Sequence, residues 1–192
     1  MPRQVDHEVR RRQMTDAVCR ITAKGGLTAA TFREVAAEAG VSVRLVQYYF
    51  GSKDALLLAT QRDVAQRATA RLTTMINSTD APRVRIRTIL RSFIPTDDES
   101  RENMLMFVAL HTASLVDPTL ARREARDVPD ALHRTIQKLL VAGGLSPGSD
   151  ADYEAAILIS AVPSLAQAVL DGSMKAKRAF EILDYAIGKA LT

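Results

Sequence analysis

Apolar residues recur every three or four positions along most of the chain, which is the period of an amphipathic α-helix. We find no convincing strand pattern. Together with glycine, proline and helix-capping residues, the period predicts helices over residues 6–24, 31–38, 43–49, 53–76, 82–94, 99–116, 118–126, 129–142, 151–171 and 174–191. We take Gly25-Gly26, Pro95, Pro118 and Pro129 as breaks between helices, and we expect an all-α fold.

Two short helices with a tight turn between them are predicted in the segment 31–57. Thr31 precedes Glu34 by three residues, a capping-box pattern in which the threonine oxygen accepts from the Glu34 amide and the carboxylate reaches back. Ser42 and Ser52 are cap candidates for the next two helices, and Gly40 can adopt the positive φ of a turn. This spacing is typical of a helix-turn-helix.

The positive charge lies in the same part of the chain. Ten of the 26 Lys and Arg residues but only six of the 22 Asp and Glu residues lie in residues 1–62, which accounts for the whole formal charge of +4. A basic N-terminal segment followed by a neutral remainder indicates that the first part meets a polyanion such as nucleic acid.

The second of the two short helices has the side chains of a recognition helix. Leu45, Val46 and Phe50 are expected to pack inward, whereas an arginine, a glutamine and a tyrosine face outward. Arginine suits guanine and glutamine suits adenine in the major groove. We predict phosphate contacts from the cap residues and from the residues at the helix exit. The predicted DNA-binding set is Thr31, Arg33, Ser42, Val43, Arg44, Gln47, Tyr48, Tyr49 and Lys53.

The stretch TFREVAAEAGVSVRLVQYYFGSKDALL, residues 31–57, resembles the DNA-binding segment of the TetR family of bacterial repressors. Family members usually have tyrosine at the position of Gln47, and Tyr48 is a candidate to replace that phenol. The matching residues are Thr31, Val35, Ala36, Ala39, Gly40, Val41, Ser42, Val46, Tyr49, Phe50, Ser52, Lys53 and Leu56. The resemblance implies a three-helix DNA-binding domain over residues 1–52 and a helical regulatory and dimerisation domain over residues 53–192.

The two C-terminal helices are apolar on more than one side, which is typical of helices shared between a core and a partner. We expect them to pair with their copies in a four-helix homodimer interface, although burial in the chain's own core would produce the same pattern. The expected interface residues are Ile157, Ala161, Ser164, Ala168, Phe180, Leu183 and Ile187.

A small-molecule site is predicted on the helix over 99–116. Met104, Phe107 and His111 recur at helical spacing and could line a cavity, while ordinary core packing is the alternative.

Other classes of protein fit the sequence less well. The single cysteine, Cys19, lies in an apolar stretch and is expected to be a buried free thiol. The three histidines are scattered, so no metal site or cofactor is expected, and no catalytic motif indicates an enzyme. The N-terminus lacks the apolar stretch of a signal peptide, and the apolar run 155–170 is short for a membrane span. We therefore expect a cytoplasmic protein that does not enter a membrane.

Taken together, these patterns predict a homodimeric transcriptional regulator, in the first place a repressor. It would bind a palindromic double-stranded DNA operator and would be released by a small molecule bound in the C-terminal domain, because ligand and DNA favour different states. The alternative is a DNA-binding protein without a small-molecule inducer, which is constitutive or regulated by a protein partner.

Overall fold

The computed structural model of the chain describes residues 2–75, 80–116 and 124–191. These residues form α1 (Pro2–Ala29), α2 (Phe32–Ala39), α3 (Val43–Phe50), α4 (Lys53–Met75), α5 (Pro82–Arg91), α6 (Asp98–Val116), α7 (Glu124–Gly143), α8 (Ala151–Leu170) and α9 (Ala176–Ala190). Within the described ranges the single β-type pairing is an isolated bridge between Leu145 and Leu191. The expected all-α fold is confirmed.

The predicted break at the glycine pair is confirmed, because Gly26 has a non-helical backbone (φ 73°, ψ 179°) at which α1 kinks before a last short helical segment to Ala29. The predicted break at Pro129 is wrong. Pro129 does not start a new helix, since α7 begins at Glu124 and runs through it. A proline inside a helix removes one backbone hydrogen bond, and the packing of α7 against α5 and α8 holds the helix despite that loss. The predicted helix over 118–126 lies mostly outside the described residues.

The chain divides into two compact units, residues 1–67 with 101–121 and residues 68–100 with 122–192. In the first unit, α1 packs on α2 and α2 packs on α3. Its hydrophobic core is formed mainly by α1–α4, and Met106 and Leu110 of α6 complete it. Cys19 is a free thiol in this core, as expected.

A polar network ties α1 to α4 inside the first unit. The Thr15 hydroxyl donates to the Asp63 carboxylate at 2.7 Å. The Arg67 guanidinium bridges Asp16 at 2.8 Å and Asp63 at 3.2 Å. The part of α4 up to Arg67 is therefore held to α1 by charge as well as by apolar contact.

The second unit is a helical bundle in which α5 packs on α7 and α9, and α8 packs on α7 and α9. On its surface, an arginine stripe of Arg83, Arg87 and Arg91 on α5 faces α9. The contacts are as follows: Arg91 lies over the Phe180 ring, Arg87 and Arg91 both pair with Asp184, and the Arg83 guanidinium occupies the space beside Gly188. Because each set of residues recurs every four positions, the two helix faces match in register.

Among the described residues, α8 is the one helix with the length and apolar composition that a membrane span requires. Its side toward α7 and α9 carries buried core residues, including Leu158, Val162 and Leu165. With 20 residues α8 is longer than the apolar run 155–170 indicated, and the buried share of its apolar stretch is 33%, so α8 is buried on one side only. Core helices of proteins outside membranes have the same composition.

Candidate DNA-binding surface

The predicted caps form at both short helices. The Glu34 amide donates to the Thr31 hydroxyl oxygen at 3.2 Å, and the Leu45 amide donates to the Ser42 hydroxyl oxygen at 3.2 Å. The reciprocal half of the capping box differs from the prediction. The Thr31 amide, which the pattern assigns to the Glu34 carboxylate, donates instead to the carbonyl oxygen of Ala29 at 2.8 Å. The end of α1 therefore satisfies the group that the glutamate was expected to reach.

The turn between α2 and α3 depends on glycine. Gly40 has φ 65° and ψ 34°, the left-handed conformation that glycine adopts without steric cost. Its amide donates to Ala37, and the Val41 amide donates to Ala36, so the last carbonyl groups of α2 are satisfied within the turn. A salt bridge between Arg20 of α1 and Glu38 of α2, at 2.5 Å, fixes α2 from the other side. The hydrogen bond from Arg20 lowers the pKa of Glu38.

The recognition helix α3 has one buried and one exposed face. Val46 and Phe50 are buried in the core of the first unit. Arg44, Gln47 and Tyr48 are exposed, and their spacing of three and four residues places them on one side of the helix. The Tyr48 side chain is 76% exposed, so both its ring and its hydroxyl are accessible from solvent.

Four further predicted DNA-binding residues, Thr31, Arg33, Ser42 and Val43, are exposed at the starts of α2 and α3. Because α2 packs on α3, the two helix starts and the exposed side of α3 belong to one packed helix pair in the first unit.

Tyr49 and Lys53 have structural partners that the sequence did not indicate. The Tyr49 ring is half-buried, with its centroid 4.4 Å from the His7 ring and 5.7 Å from the Tyr48 ring. The Lys53 ammonium donates to the carbonyl oxygen of Thr28 at 3.2 Å. Lys53 thereby joins the start of α4 to the last turn of α1, in addition to any contact it makes with DNA.

The three predicted ligand-site residues share one face of α6. Met104 is half-buried, whereas Phe107 and His111 are exposed, with parallel rings whose centroids lie 6.2 Å apart. Val108 and Leu115 extend the same apolar face and are exposed too. The opposite face of α6 carries Met106 and Leu110, which are buried in the core of the first unit.

The predicted dimer residues divide into two groups. On α8, Ile157 is 61% exposed, Ser164 is exposed, and Ala161 and Ala168 are half-buried on the same side. On α9 the expectation needs correction. Leu183 and Ile187 are 0% and 1% exposed because they pack into the core of their own unit, and they are therefore unavailable to a partner.

The outer side of α9 carries other residues instead. Tyr185 is 68% exposed with Lys189 over its ring, and Ile182 beside it is half-buried. Phe180, one of the predicted interface residues, lies on the side of α9 that faces α5, where it is half-buried under the Arg91 guanidinium, 4.7 Å from its ring centroid. Tyr153 on α8 is 71% exposed one turn before Ile157.

Comparison with known proteins agrees with this arrangement. Residues 15–60 match the model of bacterial regulatory proteins of the tetR family, and residues 82–192 match the C-terminal domain of BetI-type transcriptional repressors. The regulator PksA of Bacillus subtilis is 31% identical over 180 residues, which cover 89% of this chain and 84% of PksA. The regulator BetI of Burkholderia thailandensis is 37% identical over 125 residues, or 64% of this chain and 63% of BetI.

A solved structure with the same fold carries a ligand. A transcriptional regulator from Saccharomonospora viridis, in complex with choline, superposes with a TM-score of 0.85 at 24% identity, covering 94% of this chain and 96% of that one. The family and these relatives are regulators of transcription and not enzymes. The chain presented here is thus a member of the TetR family of bacterial transcriptional regulators, with a DNA-binding helix-turn-helix at α2–α3.

Proposed function

We propose that the protein is a repressor that binds a palindromic operator as a homodimer and leaves it when a small molecule binds. The observation that carries the proposal is the exposed side of α3. A short helix with a buried back, a capped start and exposed Arg44, Gln47 and Tyr48 has the shape and chemistry of a major-groove reader. Arg44 would read guanine and Gln47 would read adenine.

The contacts around α3 would fix its position on the duplex. The capped starts of α2 and α3 would direct Thr31, Arg33, Ser42 and Val43 toward the phosphates, with Tyr48 beside them as the phenol donor. Tyr49 and Lys53 lie where the chain leaves the helix, and their partners His7 and Thr28 would hold them in place for phosphate contact.

The homodimer would form through the outer sides of α8 and α9. Ile157, Ala161, Ser164 and Ala168 supply the α8 side, and Tyr153 extends it by one turn. Ile182 and Tyr185 supply the α9 side in place of Leu183 and Ile187, and Phe180 is left out because it packs against Arg91 of α5. Small residues on α8 permit close approach of two helices, and the two tyrosines supply apolar area with a polar tip.

The apolar face of α6 is the proposed ligand site. A ligand against Met104, Phe107 and His111 would press on the helix whose opposite face is packed into the core of the DNA-binding unit through Met106 and Leu110. A shift of α6 would therefore act on the packing of that unit directly. This coupling supports release from DNA as the response to ligand, since the two ligands then favour different states.

Choline is the first compound to test. The choline complex of the Saccharomonospora viridis regulator suggests a quaternary ammonium ligand. An exposed aromatic ring such as Phe107 attracts such cations through its π face. Choline should raise the thermal stability of the protein, and Phe107→Ala should abolish that shift.

The functional division that we propose follows the chain, with DNA binding in residues 1–52 and regulation and dimerisation in residues 53–192. The boundaries of the two compact units differ from this functional division, because α4 up to Arg67 and part of α6 pack with the first three helices. A cytoplasmic location is the natural site for such a regulator.

The test is selection of bound sequences from random DNA, followed by competition with candidate ligands. We expect a palindrome whose half-sites lie about one helical turn apart, and analytical ultracentrifugation should find a dimer. Selection of no preferred sequence, or a monomer at micromolar concentration, would refute the proposal. Specific binding that no metabolite weakens would favour the regulator without an inducer.

A further inference from the structure

The start of α1 lies before the segment that matches the family model. The family match begins at residue 15, whereas α1 already begins at Pro2. The side of α1 that is buried in the core carries Met14 and Val18. At the same helical spacing toward the N-terminus, this side continues as Arg11 and then His7. The core-facing side of α1 therefore passes from apolar residues to a cation and an imidazole.

Both residues contact the end of the recognition helix. The His7 ring lies 4.4 Å from the Tyr49 ring, and the Arg11 guanidinium lies 5.9 Å from the centre of the Phe50 ring. Tyr49 in turn meets the exposed Tyr48 edge-to-face at 5.7 Å. A continuous row of rings thus joins the start of α1 to the face that we assign to DNA.

This part of α1 is strongly basic and exposed. Arg10, Arg11 and Arg12 are consecutive and exposed, and Glu8 is the single acidic residue among residues 7–12. Arg12 is directed toward Asp16, at 3.8 Å. A guanidinium that rests on an aromatic ring keeps its N–H donors available at its edge, where phosphate oxygens bind.

We propose that residues 7–12 of α1, the basic arm, form a second DNA contact in which Arg10 and Arg11 bind phosphates beside the groove that α3 enters. His7 is a positioning residue that fixes the arm against Tyr49. The inference rests on the proposed DNA binding through α3. It adds a phosphate-binding element outside the helix-turn-helix, and it predicts that the protein covers more of the duplex backbone than α2 and α3 contact.

The test measures the salt dependence of binding to the selected operator by fluorescence anisotropy between 50 and 200 mM salt, concentrations at which phosphate contacts dominate. Each lost phosphate contact reduces the slope of log K against log salt by about 0.9, so Arg10→Ala/Arg11→Ala should reduce it by about 2 for each subunit. When salt rises fourfold over this range, the binding constant of the parent should fall by a factor roughly ten times larger, for each subunit, than that of the variant.

The matched control removes two exposed basic residues from the second unit, as Arg134→Ala/Lys138→Ala. It changes the net charge equally and should leave the slope near that of the parent. An unchanged slope in the Arg10/Arg11 variant, or an equal change in the control, would overturn the inference. Circular dichroism and thermal unfolding check that both variants fold, and Arg10→Gln, which keeps the Arg11–Phe50 contact, should still reduce the slope by about 0.9 per subunit.

Two His7 variants test the positioning role. His7→Ala removes the ring contact and should reduce both operator affinity and salt slope, whereas His7→Phe keeps a ring against Tyr49 and should restore them. Equal behaviour of the two variants would show that His7 does not position the arm. If the parent protein selects no operator, the proposed function fails. If the parent binds its operator but the arm variants have the same salt slope as the parent, only the phosphate contacts of the basic arm are refuted.

Discussion

Alanine substitution at Gly40 and Gly51 should destabilise the protein unequally. Gly40 connects α2 to α3 and Gly51 connects α3 to α4. A Cβ added at either position meets no atom within 4 Å. Steric clash with neighbours is therefore absent from both variants, and the cost comes from the backbone conformation that alanine must adopt.

The magnitude follows from the two conformations. Gly40 has φ 65° and ψ 34°, inside the left-handed region, where alanine costs about 1 kcal/mol. Gly51 has φ 70° and ψ −52°, outside that region and close to the strained γ-turn conformation, where we expect about 2–3 kcal/mol. Both variants restrict the unfolded chain equally, by about 0.4–1 kcal/mol, and that effect cancels in the comparison. Gly51→Ala should therefore be less stable than Gly40→Ala by about 1–2 kcal/mol.

The assay is urea unfolding monitored by far-ultraviolet circular dichroism. The free energies of unfolding of the two variants are compared on the same unfolding transition. Gly40→Asn serves as a further control, since asparagine adopts the left-handed conformation more readily than alanine and should cost less. Equal destabilisation by the two alanine variants, or a larger cost at Gly40, would refute the assignment of the cost to backbone strain.

Four further changes test other parts of the structure. Arg44→Ala should lose about 1–3 kcal/mol of operator binding and relax one base preference in a repeated selection, and equal loss on random DNA would show that Arg44 contacts only phosphate. Lys53→Ala should weaken binding to all sequences and flatten its salt dependence. Asp184→Asn removes the counter-charge of Arg87 and Arg91 and should lower the free energy of unfolding by about 1–3 kcal/mol in denaturant titrations, whereas no change would show the ion pairs to be fully screened. Burial raises the pKa of Cys19 to about 12 from an ordinary value of 9.0, so the unfolded chain loses this proton first and stability should fall as pH rises above about 9; titration with a thiol reagent should find the group unreactive until the protein unfolds.

The helix-turn-helix was predictable from sequence because its signals are local. Each of the three caps, Thr31, Ser42 and Ser52, accepts a hydrogen bond from the backbone amide three residues later in the sequence. For Ser52 the donor is the Ala55 amide, at 3.2 Å. The positive φ at Gly40 also depends on a single residue. Such features need no knowledge of the tertiary fold.

Features that depend on distant residues were not predictable in this way. The contact between His7 and Tyr49 joins positions 42 residues apart, and neither residue belongs to a pattern that includes the other. On α9, the period of apolar residues identifies which residues are apolar but not which side of the helix meets the chain's own core. The prediction that Leu183 and Ile187 form the dimer interface fails for this reason, because both are buried. The continuation of α7 through Pro129 likewise depends on tertiary packing, which overrides the local preference of proline.

The single buried thiol makes the protein well suited to spectroscopy. Cys19 is the one cysteine in the sequence and is 2% exposed, so a maleimide fluorophore would react at an introduced surface cysteine and leave the native thiol untouched. Glu34→Cys, on the exposed side of α2, would give one label per protomer near the proposed DNA surface. Energy transfer between the two labels of a homodimer would then follow the spacing of its helix-turn-helix elements as operator or choline is added.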